Sequence, residues 1–160
     1  MRHTVRYAAS FLLLLAMTAG VALAADDPFI GKWQLDRAHS KYESGEIPQD
    51  MTITMESADQ AVHYRSETTL ANGKHSTSEY TAKYDGSWTL VQQNSGLSAP
   101  VSLKRIDANT VEAQYERGLK TFATSKRVVS SDGVTMTITT SETTKEGKTT
   151  TNVSVFHKSV

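Results

Sequence analysis

The sequence predicts an all-β domain: an antiparallel meander of about ten strands closing into a barrel, with at most one short helix. Three observations carry this. Threonine fills 19 positions between residues 25 and 160, beside ten valines and five isoleucines, and these β-branched side chains favour strands. Short runs of apolar and polar alternation recur evenly, separated by turn residues. No segment sustains a helical period. The predicted strands lie at 29–35, 51–57, 61–69, 76–84, 87–92, 101–106, 110–117, 120–130, 134–144 and 148–158. Spacing this regular implies consecutive hairpins, although the same alternation also serves a two-sheet sandwich. The one helical candidate is Asp36 to Tyr42, where Asp36 is placed to cap a short turn.

Ahead of the strands, Arg2, His3 and Arg6 precede an apolar run from Ala8 to Leu23 that ends in Ala22-Leu23-Ala24. That is the order of a secretory signal peptide, so residues 1–24 are expected to be removed and residues 25–160 to act as one domain in the periplasm or outside the cell. A membrane span of similar length is the competing reading, disfavoured by Gly20 and by the Asp26-Asp27-Pro28 that follows. The chain has no cysteine, so disulfides are excluded and stability must come from packing and strand pairing. Without a cysteine at the new N-terminus there is also no lipoprotein anchor, and no membrane attachment is expected after cleavage. Two of the 17 basic residues belong to the leader, leaving 15 against 17 acidic ones. A near-neutral balance of −2 does not suit nucleic acid or an anionic membrane.

Turn chemistry sets which side chains share a face. A three-residue loop at Ala71-Asn72-Gly73 pairs Tyr64 with Tyr80, Ser66 with Ser78 and Val62 with Ala82. A three-residue loop at Asp107-Ala108-Asn109 sets Val101 opposite Tyr115 and Leu103 opposite Ala113. A two-residue type II′ turn at Gly118-Leu119 pairs Tyr115 with Phe122 and Val111 with Lys126. A three-residue loop at Ser131-Asp132-Gly133 sets Val128 opposite Met136. The inner face then holds Arg105, Tyr115, Phe122, Thr124, Lys126, Val128 and Met136, and Ser125 and Arg127 face outward. A one-residue bulge would reverse this, bringing Arg127 in and turning Lys126 out.

Two inward cations, Arg105 and Lys126, flank Val111 at one level. They need an anion, a carboxylate such as Glu142, or water at the rim. An internal or rim-solvated pair is one reading; the other is a ligand site in which Arg105 and Lys126 hold an acidic head while Tyr64, Tyr80, Tyr115, Phe122 and Met136 line the cavity. Those aromatics are equally the residues of an ordinary core. No histidine pair has metal-ligand spacing, no catalytic constellation is visible, and neither a cofactor nor a metal is called for. Asn152-Val153-Ser154 matches a glycosylation sequon.

Gly31-Lys32-Trp33, near the start of the first strand and followed by Gln34-Leu35, resembles the Gly-x-Trp of the calycins, the group of lipocalins and fatty-acid-binding proteins. Ten strands look more like the fatty-acid-binding type. The resemblance implies that Gly31 and Trp33 are structural residues at the barrel base, and that a small hydrophobic or amphipathic ligand is held inside without catalysis. At the Arg-x-Tyr positions of that family's last strand this chain carries Ser154 and Phe156, so the family's carboxylate clamp is missing there. Tyr80-Thr81-Ala82-Lys83-Tyr84-Asp85-Gly86, Leu103-Lys104-Arg105-Ile106-Asp107 and Ser131-Asp132-Gly133 also resemble small exported bacterial proteins of unassigned function. The expected function is therefore an exported, non-catalytic binding protein for a small amphipathic or lipid-like molecule, anionic if the inward cations serve it. The alternative is a structural or protein-interaction module with a self-filled core, whose Thr-rich last hairpin offers a strand edge to a partner.

Overall fold

The computed structural model describes residues 27–159; the leader and its cleavage point lie outside the described residues. Twelve strands run in chain order: β1 Gly31–Tyr42, β2 Asp50–Ala58, β3 Ala61–Thr69, β4 His75–Ala82, β5 Asp85–Thr89, β6 Gln92–Gln93, β7 Gly96–Leu97, β8 Val101–Asp107, β9 Thr110–Arg117, β10 Lys120–Val129, β11 Thr135–Thr143 and β12 Thr149–Ser159. All belong to one sheet in the order β5-β8-β9-β10-β11-β12-β1-β2-β3-β4-β6-β7. The first and last long strands pair, Trp33 with Lys158 and Leu35 with Phe156, which curls the meander on itself and decides for a barrel over a sandwich. It is interrupted between β4 and β5, and the β6–β7 hairpin folds back onto β4 through Ser78–Gln93 and Glu79–Gln92. Consequently β11 and β12 are interior strands. The free edge expected of the last hairpin does not exist.

The helix expected at 36–42 is instead part of β1. Its local signal is real: Asp36 Oδ1 accepts from His39 N at 3.2 Å and Ser40 Oγ donates to Asp36 O at 2.6 Å. The chain nevertheless resumes its ladder, because Asp36 pairs with Val155 and Lys41 with Val153 across a wide bulge. Ser40 Oγ accepts from Val155 N at 3.0 Å and fills the ladder position the bulge vacates.

The β3–β4 hairpin has the register expected, Tyr64 with Tyr80 and Ser66 with Ser78, and Gly73 takes φ 79° in its turn. The β8–β9 register agrees as well, although Ile106 bulges out and Asp107 pairs with Thr110. The next two turns differ. Gly118 and Leu119 both have positive φ, 58° and 62°, which is a type I′ turn rather than II′. Lys120 pairs with Arg117 and Thr121 with Glu116, then Phe122 is skipped and Ala123 pairs with Tyr115. The following loop has four residues, closed by Ser130 N to Thr135 O at 2.8 Å, so Val129 and not Val128 faces Met136. These two one-residue shifts agree with each other. They place Ala123, Ser125, Arg127 and Val129 inside and leave Thr124, Lys126 and Val128 in solvent.

The closed end of the barrel is solid. Phe29, Trp33, Ile53, Leu103, Val111, Met136 and Phe156 are almost wholly buried there, each contributing about 1.5–3 kcal/mol of apolar transfer. Trp33 Nε1 donates to Phe29 O at 2.9 Å. Lys158 lies across the Trp33 ring, Nζ 5.1 Å from its centroid, and donates to Pro28 O at 3.3 Å. Gly31 permits this crossing: its φ is +134°, and a Cβ would stand 2.6 Å from Lys158 Cε.

Candidate functional site

The other half of the barrel is hollow. A cavity of about 300 Å³ opens between β4 and the β5–β8 connection. Tyr64, Tyr80, Tyr115 and Phe122 line it, as the sequence suggested, joined by Ser66, Ser78 and the unforeseen Met51 and Gln93. Tyr64 and Tyr80 face each other across the β3–β4 pair and stack, centroids 4.7 Å apart and planes 11° from parallel. Met136 does not belong with them: fully buried between Val129 and Phe156, it is part of the packed core.

The two cations singled out in the sequence are not at the cavity. Lys126 is exposed, turned out by the bulge at Phe122. Arg105 is engaged at the closed end, where Nη2 donates to Asp27 Oδ2 at 2.6 Å and Nη1 to Ala108 O at 3.1 Å. Its guanidinium stacks 4.0 Å from the Tyr84 centroid and 5.3 Å from that of Phe29. Burial, with the Asp27 carboxylate beside it, pushes the Tyr84 hydroxyl up to about 12. An internal pair is therefore what satisfies Arg105, with Asp27 in the place considered for Glu142, which is exposed.

The cation that reaches the cavity wall is Arg127, only 4% exposed: it does not itself line the cavity but touches two residues that do, Tyr115 and Tyr64. Nη2 donates to Tyr115 Oη at 3.1 Å, and the guanidinium lies 5.1 Å from the Tyr64 ring centroid. Among the described residues no carboxylate pairs with it, and its Nε has no hydrogen-bond partner. The Tyr80 hydroxyl is buried within range of the Arg127 guanidinium but makes no well-aligned hydrogen bond, and Ser125 Oγ is likewise unbonded. Burial is the largest influence on Arg127 and opposes its charge; the oxygens of Tyr80, Tyr115 and Tyr64 hold its pKa above the ordinary value through the charge they carry when ionised, and at neutral pH, where they are protonated, they offset its burial only as dipoles. Burial likewise pushes the Tyr80 and Tyr64 hydroxyls up, so these tyrosines stay protonated and act as donors. A buried cation and an idle donor at one place are arranged to receive an anion.

Phe122, ejected from the ladder, stands at the cavity wall with Arg117 Cζ 4.3 Å from its ring centroid. The segment 91–99 closes another side, Ser98 N donating to Val91 O at 2.8 Å at the base of the β6–β7 hairpin. The predicted strand 87–92 reaches only Val91 and Gln92; nothing in Gln93-Asn94-Ser95 alternates, so the rest of this wall has no strand signal, and only the turn-forming Asn94-Ser95-Gly96 hints at it. On the last strand, Ser154 bonds Tyr42 Oη at 2.8 Å and Phe156 is buried. Asn152, the sequon residue, accepts from Glu43 N and Ser44 N and pins the β1–β2 connection.

Neither a protein-family model nor a curated protein matches the sequence. Among solved structures, the zebrafish ileal bile acid-binding protein complexed with cholic acid is similar, with TM-score 0.52 and 12% identity, over 82% of this chain and 99% of that one. A likeness at that identity concerns the fold: a calycin-like barrel of the fatty-acid-binding type.

Proposed function

We propose that this chain is an exported carrier that holds a small amphipathic acid in the open half of its barrel, without covalent chemistry. The observation that carries the reading is Arg127: a cation buried beside a cavity, bonded to Tyr115, with an idle Tyr80 hydroxyl next to it and, among the described residues, no carboxylate of its own. A ligand carboxylate or phosphate entering there meets the Tyr115 and Tyr80 hydroxyls as charge-assisted donors, with the Arg127 guanidinium close behind Tyr115 to balance its charge. The similar fold, in a protein whose structure was solved with cholic acid, supports a barrel used as a container. A cavity of about 300 Å³ lies at the lower end of small-molecule sites and equals about ten water molecules, which sets the ligand's size. A hollow interior argues against the self-filled module. The leader supports export, and N-terminal sequencing of the purified protein should then begin at Ala25.

Native mass spectrometry of protein purified from its own host, followed by titration of the recovered ligand, tests the carrier reading. An acid of small mass is expected to leave with the protein and to bind Arg127→Met at least about tenfold more weakly. A barrel that is always empty and that takes up no acid would overturn it.

A further inference from the structure

The wall of the cavity built by β3 and β4 is a ladder of hydroxyls. Above the Tyr64–Tyr80 stack come the cross-strand pairs Ser66–Ser78 and then Thr68–Ser76, and all six residues line the cavity. Gln93 Nε2 donates to Ser78 Oγ at 3.2 Å and adds an amide to the same wall. The rest of the lining is mixed: Met51 on β2, beside Thr68, with Val91, Ala99 and Phe122, and the polar Ser98 and Tyr115. From the tyrosine pair to the Thr68–Ser76 pair is four residues along each strand, about 13 Å. The cavity thus carries a continuous row of hydroxyls along the β3–β4 wall, with the Arg127 guanidinium behind Tyr115 at the tyrosine end.

Resting on the carrier reading above, we infer that the ligand is a compact acid with hydroxyl groups along one edge, not an alkyl-chain acid. An alkyl chain laid on this wall would strip water from the Ser66 hydroxyl, and would leave the Ser78 hydroxyl with only the bond it accepts from Gln93. Desolvating hydroxyls without replacement costs about 1–3 kcal/mol each. A site built to bond a ligand hydroxyl discriminates strongly against the analogue that lacks it. Tyr80, itself only 6% exposed and with its hydroxyl buried and unbonded, lines the same space and marks where the acid group ends and the hydroxylated edge begins.

The test is calorimetric titration of 3,4-dihydroxybenzoate, benzoate and octanoate into protein purified after expression of the full chain and stripped of ligand. The same titrations are run on Arg127→Met and on the double variant Ser66→Ala, Ser78→Ala, with circular dichroism confirming that both fold. Dihydroxybenzoate should bind at least about tenfold more tightly than either other acid. That preference should shrink to about threefold or less in the serine double variant, while Arg127→Met weakens all three acids. If octanoate binds as tightly as dihydroxybenzoate, or the preference survives the double variant, the hydroxylated-edge inference is wrong and the carrier reading stands. If no acid binds, or Arg127→Met changes nothing, both fall.

Discussion

Replacing Arg127 by methionine keeps an unbranched stem about as far as Nε and removes the guanidinium and its charge. In the ligand-free protein the guanidinium is almost fully buried, which costs several kcal/mol in lost hydration. Against this stand one charge-assisted bond to Tyr115 at 3.1 Å, about 1.5–3 kcal/mol, and the Tyr64 ring at 5.1 Å, about 1–2 kcal/mol. The unbonded Nε adds a penalty of about 1–3 kcal/mol. Methionine releases Tyr115, which reaches cavity water and suffers little. Arg127→Met should therefore stabilise the empty barrel by about 1–3 kcal/mol, raising its melting temperature by about 3–10 °C, and abolish the preference for acids. Urea unfolding of ligand-stripped protein, with an unchanged m-value, measures it. A loss of 1 kcal/mol or more would refute the reasoning, since Arg127 would then be a satisfied structural residue and not a site kept charged for a ligand.

Other perturbations separate the closed end from the open one. Gly31→Ala should destabilise by about 1–3 kcal/mol, because the new methyl meets Lys158 at a positive φ; differential scanning calorimetry reads this, and a neutral result would mean Lys158 is free to move aside. Deleting Phe122 should leave the pairing of Ala123 with Tyr115 and the inward position of Arg127 intact, since the bulged residue is the one removed; a folded variant that loses its preference for acids would contradict this. His39 and His157, bonding the Asp36 carboxylate, hold it down at about 2. Its folded value lies below the unfolded one, so its contribution is complete above about pH 4 and is lost as pH falls toward 2. Asp36→Asn should flatten the stability profile in that window and lower the plateau above it, because the lost contribution is the one complete above about pH 4; urea unfolding across pH reads both, and an unchanged plateau would show that the carboxylate adds nothing. In hydrogen exchange, the amides of 92–97, tied to β4 by two residue pairs, should exchange orders of magnitude faster than those of β3.

Much of the fold was legible because its signals are local. Alternation located the ten long strands, and Asn72-Gly73 alone set the register that brings Tyr64 to Tyr80 and lines up the hydroxyls above them. Gly31-Lys32-Trp33 pointed to the barrel base. The site was half legible: four aromatics were found, but Arg105, Lys126 and Met136 were placed in it and do not belong there. Each misplacement has a physical source. Arg105 found its anion in Asp27, 78 residues away in sequence, a pairing no local pattern reveals. Met136 is on the expected face but at the filled end of it. Lys126 stood inside only while β10 was taken as regular, and Arg127, the alternative if a bulge intervened, is the residue that enters.

By itself the sequence determined the all-β class, the number and order of the long strands and the absence of disulfides, because side-chain branching, two-residue periodicity and turn residues act over a few positions. Only the tertiary structure decided the phase of β10. A bulge costs little locally, so either parity of that strand is open to the isolated hairpin. The choice falls to what the barrel's two ends demand: Val129 against Met136 in the packed half, and small Ala123 and Ser125 where the wall must stay thin. Through that one skipped residue, packing chose which cation the cavity received.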